Sequence, residues 1–288
     1  MTQSTGIGFV AVLLWALLAL FTVGSAPVPP LQLNAICFSI GGLIGVIWVL
    51  ATGGAGRLRQ VRWTVYAFGT LGLFGYHALY FSALRMAPAA QAGLIAYLWP
   101  LLIVLFSGLL PGEHLRPGHV IGALIGFAGA ALIVLRGASG FDAGALPGYG
   151  LALLCALTWS GYSVISRRLG QIPTETVAVF CLATAVLSLP LHLALEETVW
   201  PQSTLGWLSC LALGLGPVGL AFYVWDIGVK RGNIQLLGVA SYAAPLLSTL
   251  VLVAAGFAEP TASLGLAALL ITGGAALAAW ASAVKTQA

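Results

Sequence analysis

Charged side chains are almost absent from ten long apolar stretches that cover most of the chain, and this feature constrains its fold most. The 288 residues include 11 Lys and Arg and 7 Asp and Glu, nearly all between the stretches or at their ends. A helix needs about 20 mostly apolar residues to cross a bilayer core. Because backbone polar groups must be satisfied internally there, the sequence predicts an all-α integral membrane protein with ten transmembrane helices.

The predicted spans are separated by short loops rich in Pro and Gly, which are typical turn formers. Loops this short make consecutive helices antiparallel neighbours and leave no room for a separate soluble domain. The predicted spans lie at about 6–23, 33–52, 63–84, 90–110, 118–136, 147–168, 175–194, 204–226, 233–256 and 262–284.

Composition excludes a soluble fold, because only 6% of the residues are charged, against about 25% in soluble domains. The first stretch has spanning length and no preceding Lys or Arg, so no cleavable signal is expected. The four cysteines all lie inside spans, where small packing residues are the expected role. We therefore expect no metal site and no cofactor.

Lys and Arg are distributed unevenly between the two sides of the predicted bundle. With ten spans, both termini and every even-to-odd loop share one side. Because cytoplasmic loops are enriched in basic residues, we expect both termini to face the cytoplasm. The side with the termini carries nine of the eleven basic residues, and the other side carries Arg85 and Arg136. The nine are Arg57, Arg59, Arg62, Arg116, Arg167, Arg168, Lys230, Arg231 and Lys285.

The chain contains an internal repeat. The pattern G-x-x-x-Y-x-x-P-L-L occurs at residues 93–102 and again at 238–247, an offset of 145. Trp15 and Trp159 are 144 residues apart. The offset predicts two five-helix halves, 1–140 and 141–288. Because five is odd, the second half is inverted across the membrane, as in secondary transporters that bind substrate at the midplane.

Each copy of the repeat places a tyrosine three residues before a proline, Tyr97 with Pro100 and Tyr242 with Pro245. Proline frees a backbone carbonyl, which lipid tolerates only where protein or a water-filled cavity satisfies it. We interpret the copies as two kinked helices that line a pathway, with the prolines as hinges. Kinks that serve packing alone are the alternative.

Aromatic and polar residues at helical spacing predict a substrate site between the halves. Trp15 and Trp159 fall near mid-span, away from the interfaces where tryptophans are usual. His77 lies well inside a span, where such residues usually face a cavity or a partner. Packing between helices is the alternative for all three. The predicted substrate-binding residues are Trp15, His77, Tyr80, Tyr97, Trp99, Trp159, Tyr162, Ser163 and Tyr242.

Several functions are disfavoured by what the sequence lacks. Neither a phosphate-binding loop nor an H-E-x-x-H motif occurs, so ATP-driven transport and enzyme catalysis are not expected. A channel, or a non-catalytic scaffold, is the rival from another class, yet charge rings and filter loops are not visible. Asp226, beside Lys230 and Arg231, is expected to form an interfacial ion pair in preference to a coupling site.

Both copies of the repeated motif lead to a loop with a glutamate, Glu113 and Glu259, and this arrangement resembles the drug/metabolite transporter superfamily in its ten-helix EamA-type branch. The resemblance extends over the whole chain and implies a metabolite exporter of a bacterial inner membrane. Within the branch, the chain is most similar to the YddG-type aromatic amino-acid exporters.

The chain departs from neighbouring branches in two places. Its first span contains no acid, which disfavours proton-coupled export of organic cations. No Lys or Arg lies mid-span, which disfavours transport of strong anions. We expect a secondary transporter that exports amino acids, aromatic or hydrophobic, by alternating access. A multidrug exporter of aromatic cations such as methyl viologen is the alternative.

The driving force stays open between a facilitator and proton exchange through His77. The expected partners are a small-molecule substrate and the lipid bilayer, with no nucleic acid. A monomer is the working expectation for the oligomeric state.

Overall fold

The computed structural model describes residues 2–136, 138, 140–257 and 259–283. Every regular element within these ranges is helical. A 3₁₀ turn, Ala143–Ala145, precedes α9, and a π-helical turn, Gly216–Leu220, joins α11 to α12. The α-helices are α1 (Gln3–Ala16), α2 (Leu18–Gly24), α3 (Pro30–Ala51), α4 (Ala55–Arg59), α5 (Trp63–Met86), α6 (Ala89–Ala96), α7 (Trp99–Ser107), α8 (Pro117–Val134), α9 (Leu146–Arg168), α10 (Thr176–Leu195), α11 (Thr204–Leu215), α12 (Ala221–Arg231), α13 (Ile234–Ala240), α14 (Ala243–Ala254) and α15 (Ala262–Ala283).

These elements make ten membrane spans, which confirms the predicted fold class. In the described part of the chain, nine helical segments are long and apolar enough to cross a bilayer. The tenth span is α5, with 24 residues; its Tyr, Trp and His side chains lower its hydropathy. The observed ends agree with the predicted ends within a few residues. The predicted last residue, 284, and Lys285 lie outside the described residues.

The fourth and ninth spans are interrupted at the repeated motif. Helix α6 ends at Ala96 and α7 begins at Trp99, while α13 ends at Ala240 and α14 begins at Ala243. The prolines explain where the helices break, because Pro100 and Pro245 have no N–H to donate a helical hydrogen bond to the carbonyl four residues before them. The helix breaks are therefore observed, while the hinge role of the prolines stays a prediction.

The first and eighth spans are also interrupted, which the sequence analysis did not predict. The first span breaks at Leu17, between α1 and α2. The eighth span is interrupted by the π-helical turn between α11 and α12. The Pro217 carbonyl in this turn accepts a hydrogen bond of 3.1 Å from the Trp15 indole N–H. Gly219 in that turn packs against Gly41 of α3. Turns of this kind occur often at functional sites.

Helices of one half pack mainly on helices of the other half. The most extensive pairings are α8 with α15, α3 with α10, α5 with α9, and α1 with α12. The repeat relates α1 to α9 and α5 to α11–α12, so the last two pairings are equivalent under the internal symmetry. The two five-helix repeats thus form one interlocked, inverted bundle.

Ion pairs join the two halves at both ends of the bundle. We call the side that carries residue 2 and the α9–α10 loop the N-terminal side, and the other the opposite side. On the N-terminal side Arg57 pairs with Glu175 and Arg167 with Glu113. On the opposite side Glu196 lies 3.2 Å from Arg85 and accepts from the backbone N–H of Leu31 at the start of α3 at 3.0 Å.

The contact between α8 and α15 depends on two glycines. A Cβ atom placed on Gly274 would lie 2.5 Å from the Gly122 carbonyl oxygen, and a Cβ on Gly122 would lie 2.5 Å from the Gly274 carbonyl oxygen. Neighbouring Gly273 has nothing within 4 Å of such an atom. Small residues at such crossings let helix backbones approach closely in a membrane.

Gly274→Val should therefore destabilise the bundle, because it forces α8 and α15 apart. We expect a loss of about 1–3 kcal/mol in the free energy of unfolding, measured by SDS titration in mixed micelles. Gly273→Val, with the same helix-propensity change one residue away, is the matched control and should have a much smaller effect. Equal losses in both variants would contradict the assigned contact.

Candidate functional site

Four tryptophans meet at the centre of the bundle, where the two halves join. Trp15 comes from α1, Trp99 from α7, Trp159 from α9 and Trp225 from α12. All six pairs have ring centroids between 5.1 and 6.4 Å apart. Edge-to-face and offset pairs at these distances stabilise by roughly 0.5–1.5 kcal/mol each beyond burial. We name these residues the tryptophan tetrad.

The aromatic face of α5 extends the tetrad toward the opposite side. Tyr76 lies 5.5 Å from Trp159 and stacks on Tyr80 at 6.1 Å. His77 packs edge-on against Phe38 at 4.9 Å and lies 6.1 Å from Phe222. These rings form a continuous surface with the tetrad.

The orientation of His77 defines its hydrogen-bonding capacity. Its Nδ1 lies 2.7 Å from the Leu73 carbonyl oxygen, four residues earlier in α5. Since a carbonyl only accepts, Nδ1 carries the hydrogen, and in the neutral ring Nε2 is left as an acceptor. The histidine thus offers a neutral acceptor amid aromatic rings.

Two further predicted residues support the tetrad from α9. Tyr162 stacks on Trp159 with centroids 5.2 Å apart, and its ring occupies space that a side chain at Gly72 would fill. The Ser163 hydroxyl accepts from the Trp225 indole N–H at 3.1 Å. Both interactions fix the orientation of a tetrad ring.

Exposure differs between the two sides of the cluster. Trp99, Trp159 and Trp225 are at most 6% exposed. His77 and Tyr97, nearer the opposite side, are only half-buried. Three of the four tetrad rings are therefore enclosed by packing, whereas Trp15, His77 and Tyr97 each keep part of their surface uncovered.

The structure brings eight of the nine predicted site residues to this cluster, and Tyr242 is the one it separates. Tyr242 is fully buried, in a second core formed by α7, α8, α13, α14 and α15. Its hydroxyl accepts from the Leu101 backbone N–H at 3.1 Å, and its ring packs on Phe127 at 6.1 Å. Tyr97 is instead half-buried and lies one helical turn after Gly93, whose Cβ position would be 4.0 Å from the Tyr80 hydroxyl oxygen.

Four residues of the cluster were not among the predicted site residues: Phe38, Tyr76, Phe222 and Trp225. Trp225 lies 145 residues after Tyr80, so the repeat offset was a usable signal for it. Tyr76 and Phe38 have no comparable signal, because their role depends on how α3 and α5 pack.

Asp226 forms the predicted ion pair with Lys230, and the pair is buried within the protein. Its carboxylate lies 2.8 Å from the Lys230 ammonium, with side chains 1% and 4% exposed. The Thr174 hydroxyl donates to the same carboxylate oxygen at 2.7 Å, and Lys230 donates to the Ile172 carbonyl at 2.9 Å. The loop between α9 and α10 covers the pair, which the spacing of charges could not indicate.

Among the described residues, those of the site contribute neutral polar groups and aromatic rings. Within the described ranges, His, Cys, Asp and Glu side chains form no group of three or more that could hold a metal ion. The arrangement is suited to holding a flat apolar group between rings, with phenol and imidazole groups for hydrogen bonds.

The profile of the EamA-like transporter family matches residues 5–135 and 146–280. The chain belongs to this family. A relative from Ancylobacter novellus, the aromatic amino acid exporter YddG, is 57% identical over 280 residues, covering 96% of this chain and 97% of the relative. The protein of the same name from Salmonella typhimurium is 28% identical over 261 residues, or 86% of each chain.

A solved crystal structure agrees with this membership. It superposes with a TM-score of 0.92 at 56% sequence identity, and the match covers 96% of this chain and 97% of the other. Family and fold together identify this EamA-like protein as a multi-pass membrane transporter.

The two repeat-related tyrosines should respond differently to removal of the hydroxyl. Tyr242→Phe leaves the Leu101 N–H without a partner and should cost about 1–3 kcal/mol of unfolding free energy. Tyr97→Phe is the matched control, since its hydroxyl forms no hydrogen bond to the described part of the chain, and should cost less. SDS titration of both variants measures the difference, and a larger loss for Tyr97→Phe would contradict the assignment.

Proposed function

We propose that the protein exports amino acids with aromatic or large hydrophobic side chains by alternating access. The observation that carries the proposal is the tryptophan tetrad, an uncharged aromatic site between two inverted repeats. The 57% identity to an aromatic amino acid exporter supports the same substrate class. We infer a carrier and not an enzyme.

The site chemistry matches each part of such a substrate. An aromatic side chain gains stacking contacts from Trp159 and Tyr76. An ammonium group gains cation–π attraction from the rings and a hydrogen bond to the free Nε2 of His77. The phenol groups of Tyr80 and Tyr97 are donors for a carboxylate. The protein itself places no charged side chain at the site, and such a charge at the bilayer centre would cost about 2.5–3.5 kcal/mol.

We assign the N-terminal side to the cytoplasm of a bacterial cell and the membrane to its inner membrane. The excess of basic residues in the loops on that side supports the orientation. Alternating access requires that the helices rearrange at the breaks of the fourth and ninth spans, with Pro100 and Pro245 as the hinges. We propose a monomer as the functional unit.

Replacing a tetrad residue should weaken transport of aromatic substrates. Trp159→Ala removes the ring that contacts the other three tryptophans and Tyr162, so KM for phenylalanine efflux from proteoliposomes should rise at least about tenfold, equivalent to about 1.4 kcal/mol. Trp280→Ala is the matched control, because Trp280 on α15 is 65% exposed. Unchanged KM in Trp159→Ala would exclude the tetrad as the site.

An exporter of aromatic cations is the second candidate, because aromatic rings also bind quaternary ammonium groups. The same proteoliposomes, loaded with methyl viologen, distinguish the two. Saturable efflux of methyl viologen without efflux of tryptophan or phenylalanine would favour the cation exporter.

Transport should follow the substrate gradient alone, since the described site carries no carboxylate that could exchange a proton. We expect the initial rate of phenylalanine efflux to be unchanged when a pH gradient is imposed or collapsed with an ionophore. The efflux rate of the His77→Gln variant, which keeps a hydrogen-bonding group, should likewise not depend on the pH gradient. Loss of efflux without a pH gradient would instead support proton exchange through His77.

A further inference from the structure

A polar cavity of about 280 Å³ lies on the N-terminal side, separate from the tryptophan tetrad. Both halves contribute to it: Glu113 and Arg116 come from the loop before α8, and Arg231 and Gln235 come from the ends of α12 and α13. Its volume is close to the lower end of the range of small-molecule sites. The cavity is thus large enough for one amino acid.

The charges around the cavity match a zwitterion. Arg116, Arg167 and Arg231 supply three guanidinium groups, and Glu113 supplies one carboxylate. Arg167 already contacts Glu113, with its Nε 3.1 Å from the carboxylate. Arg231 is exposed and forms no ion pair with the described residues. A guanidinium available for a carboxylate therefore faces the cavity together with an acid that can accept from an ammonium.

The cavity is held in shape by hydrogen bonds. Buried His119 accepts from the Arg116 N–H at 3.3 Å through Nδ1 and contacts Ser282 at 3.1 Å through Nε2. The Asn233 amide donates to the same Ser282 hydroxyl at 2.9 Å. The Gln235 amide donates to Glu113 at 3.1 Å, which orients the carboxylate.

Arg167 stands between the cavity and the tryptophan tetrad. It lies eight residues after Trp159 on α9, about 12 Å along the helix axis. Its Nη1 donates to the carbonyls of Lys230 at 2.9 Å and Gly232 at 2.8 Å. Because a second carboxylate in the cavity would compete with Glu113 for this guanidinium, occupancy of the cavity can weaken the ion pair that joins the halves here.

Among the described residues, the opposite side carries no equivalent of this arrangement. Glu259 is the repeat counterpart of Glu113 and is exposed. Arg167 has no basic counterpart, because the residues at the repeat offset before it are Val23 and Thr22. The internal symmetry therefore does not require the cavity, and its charges belong to the N-terminal side alone.

We propose that this cavity is a second binding site, where a zwitterionic amino acid docks before it reaches the tetrad. Its carboxylate pairs with Arg231 and competes for Arg167, and its ammonium faces Glu113. The identity of the ligand rests on the proposed function, whereas the site itself rests on the cavity and its charges.

The test is the number of amino-acid molecules bound by the purified full-length chain in detergent, measured by equilibrium dialysis with radiolabelled phenylalanine. Two equivalents are expected for the wild-type chain. Arg231→Gln should weaken one of them at least tenfold, and Trp159→Ala should weaken the other. The Arg231 side chain makes no hydrogen bond to the described residues, so its replacement should not disturb folding, which thermal unfolding checks. Arg59→Gln, on the same side and outside the cavity, is the matched control and should still bind two equivalents of phenylalanine.

Competition separates carboxylate recognition from binding of any aromatic amine. Tryptamine has an ammonium group but no carboxylate, so it should fail to displace the equivalent that depends on Arg231. Displacement of that equivalent by tryptamine would overturn the proposed recognition. A single equivalent in a chain that exports phenylalanine, unaffected by Arg231→Gln, would overturn the docking site and leave the proposed function intact. Absence of both binding and saturable export would remove the proposed function.

Discussion

Interrupted helices inside a membrane need partners for their freed backbone groups, because lipid supplies none. In this protein each half supplies a partner to the other. The indole of Trp15 in the first half donates to the Pro217 carbonyl in the second. The hydroxyl of Tyr242 in the second half accepts from the Leu101 N–H in the first. These reciprocal bonds allow breaks at mid-membrane depth and also orient Trp15 within the tetrad.

The two bonds are not related by the repeat, and this difference gives the bundle its asymmetry. Tyr242 is committed to backbone support and is fully buried, whereas its counterpart Tyr97 is only half-buried and lies at the aromatic cluster. Gly126 leaves room for the Tyr242 ring, whereas the residue 145 positions later is Ile271. Small differences between the halves thus assign one repeated residue to structure and leave the other accessible.

The spans and the repeat were predictable because both depend on one-dimensional signals, hydropathy over about 20 residues and a constant offset. The breaks at Tyr97 and Tyr242 were predictable from the prolines. The break at Leu17 and the extended π-helical turn were not, because packing of Trp15 and Gly41 against the eighth span decides them. Likewise, burial of Asp226 and Lys230 depends on a loop from another part of the chain.

The sequence by itself determined a ten-span inverted bundle with aromatic residues and almost no charge at its midplane, since the bilayer imposes these properties on each segment separately. Only the tertiary structure decided which aromatic residues meet. Four tryptophans from four different spans form the tetrad, whereas Tyr242 turns away from it. The physical reason is that each ring's neighbours are set by crossings between helices of different halves, and local periodicity does not encode those crossings.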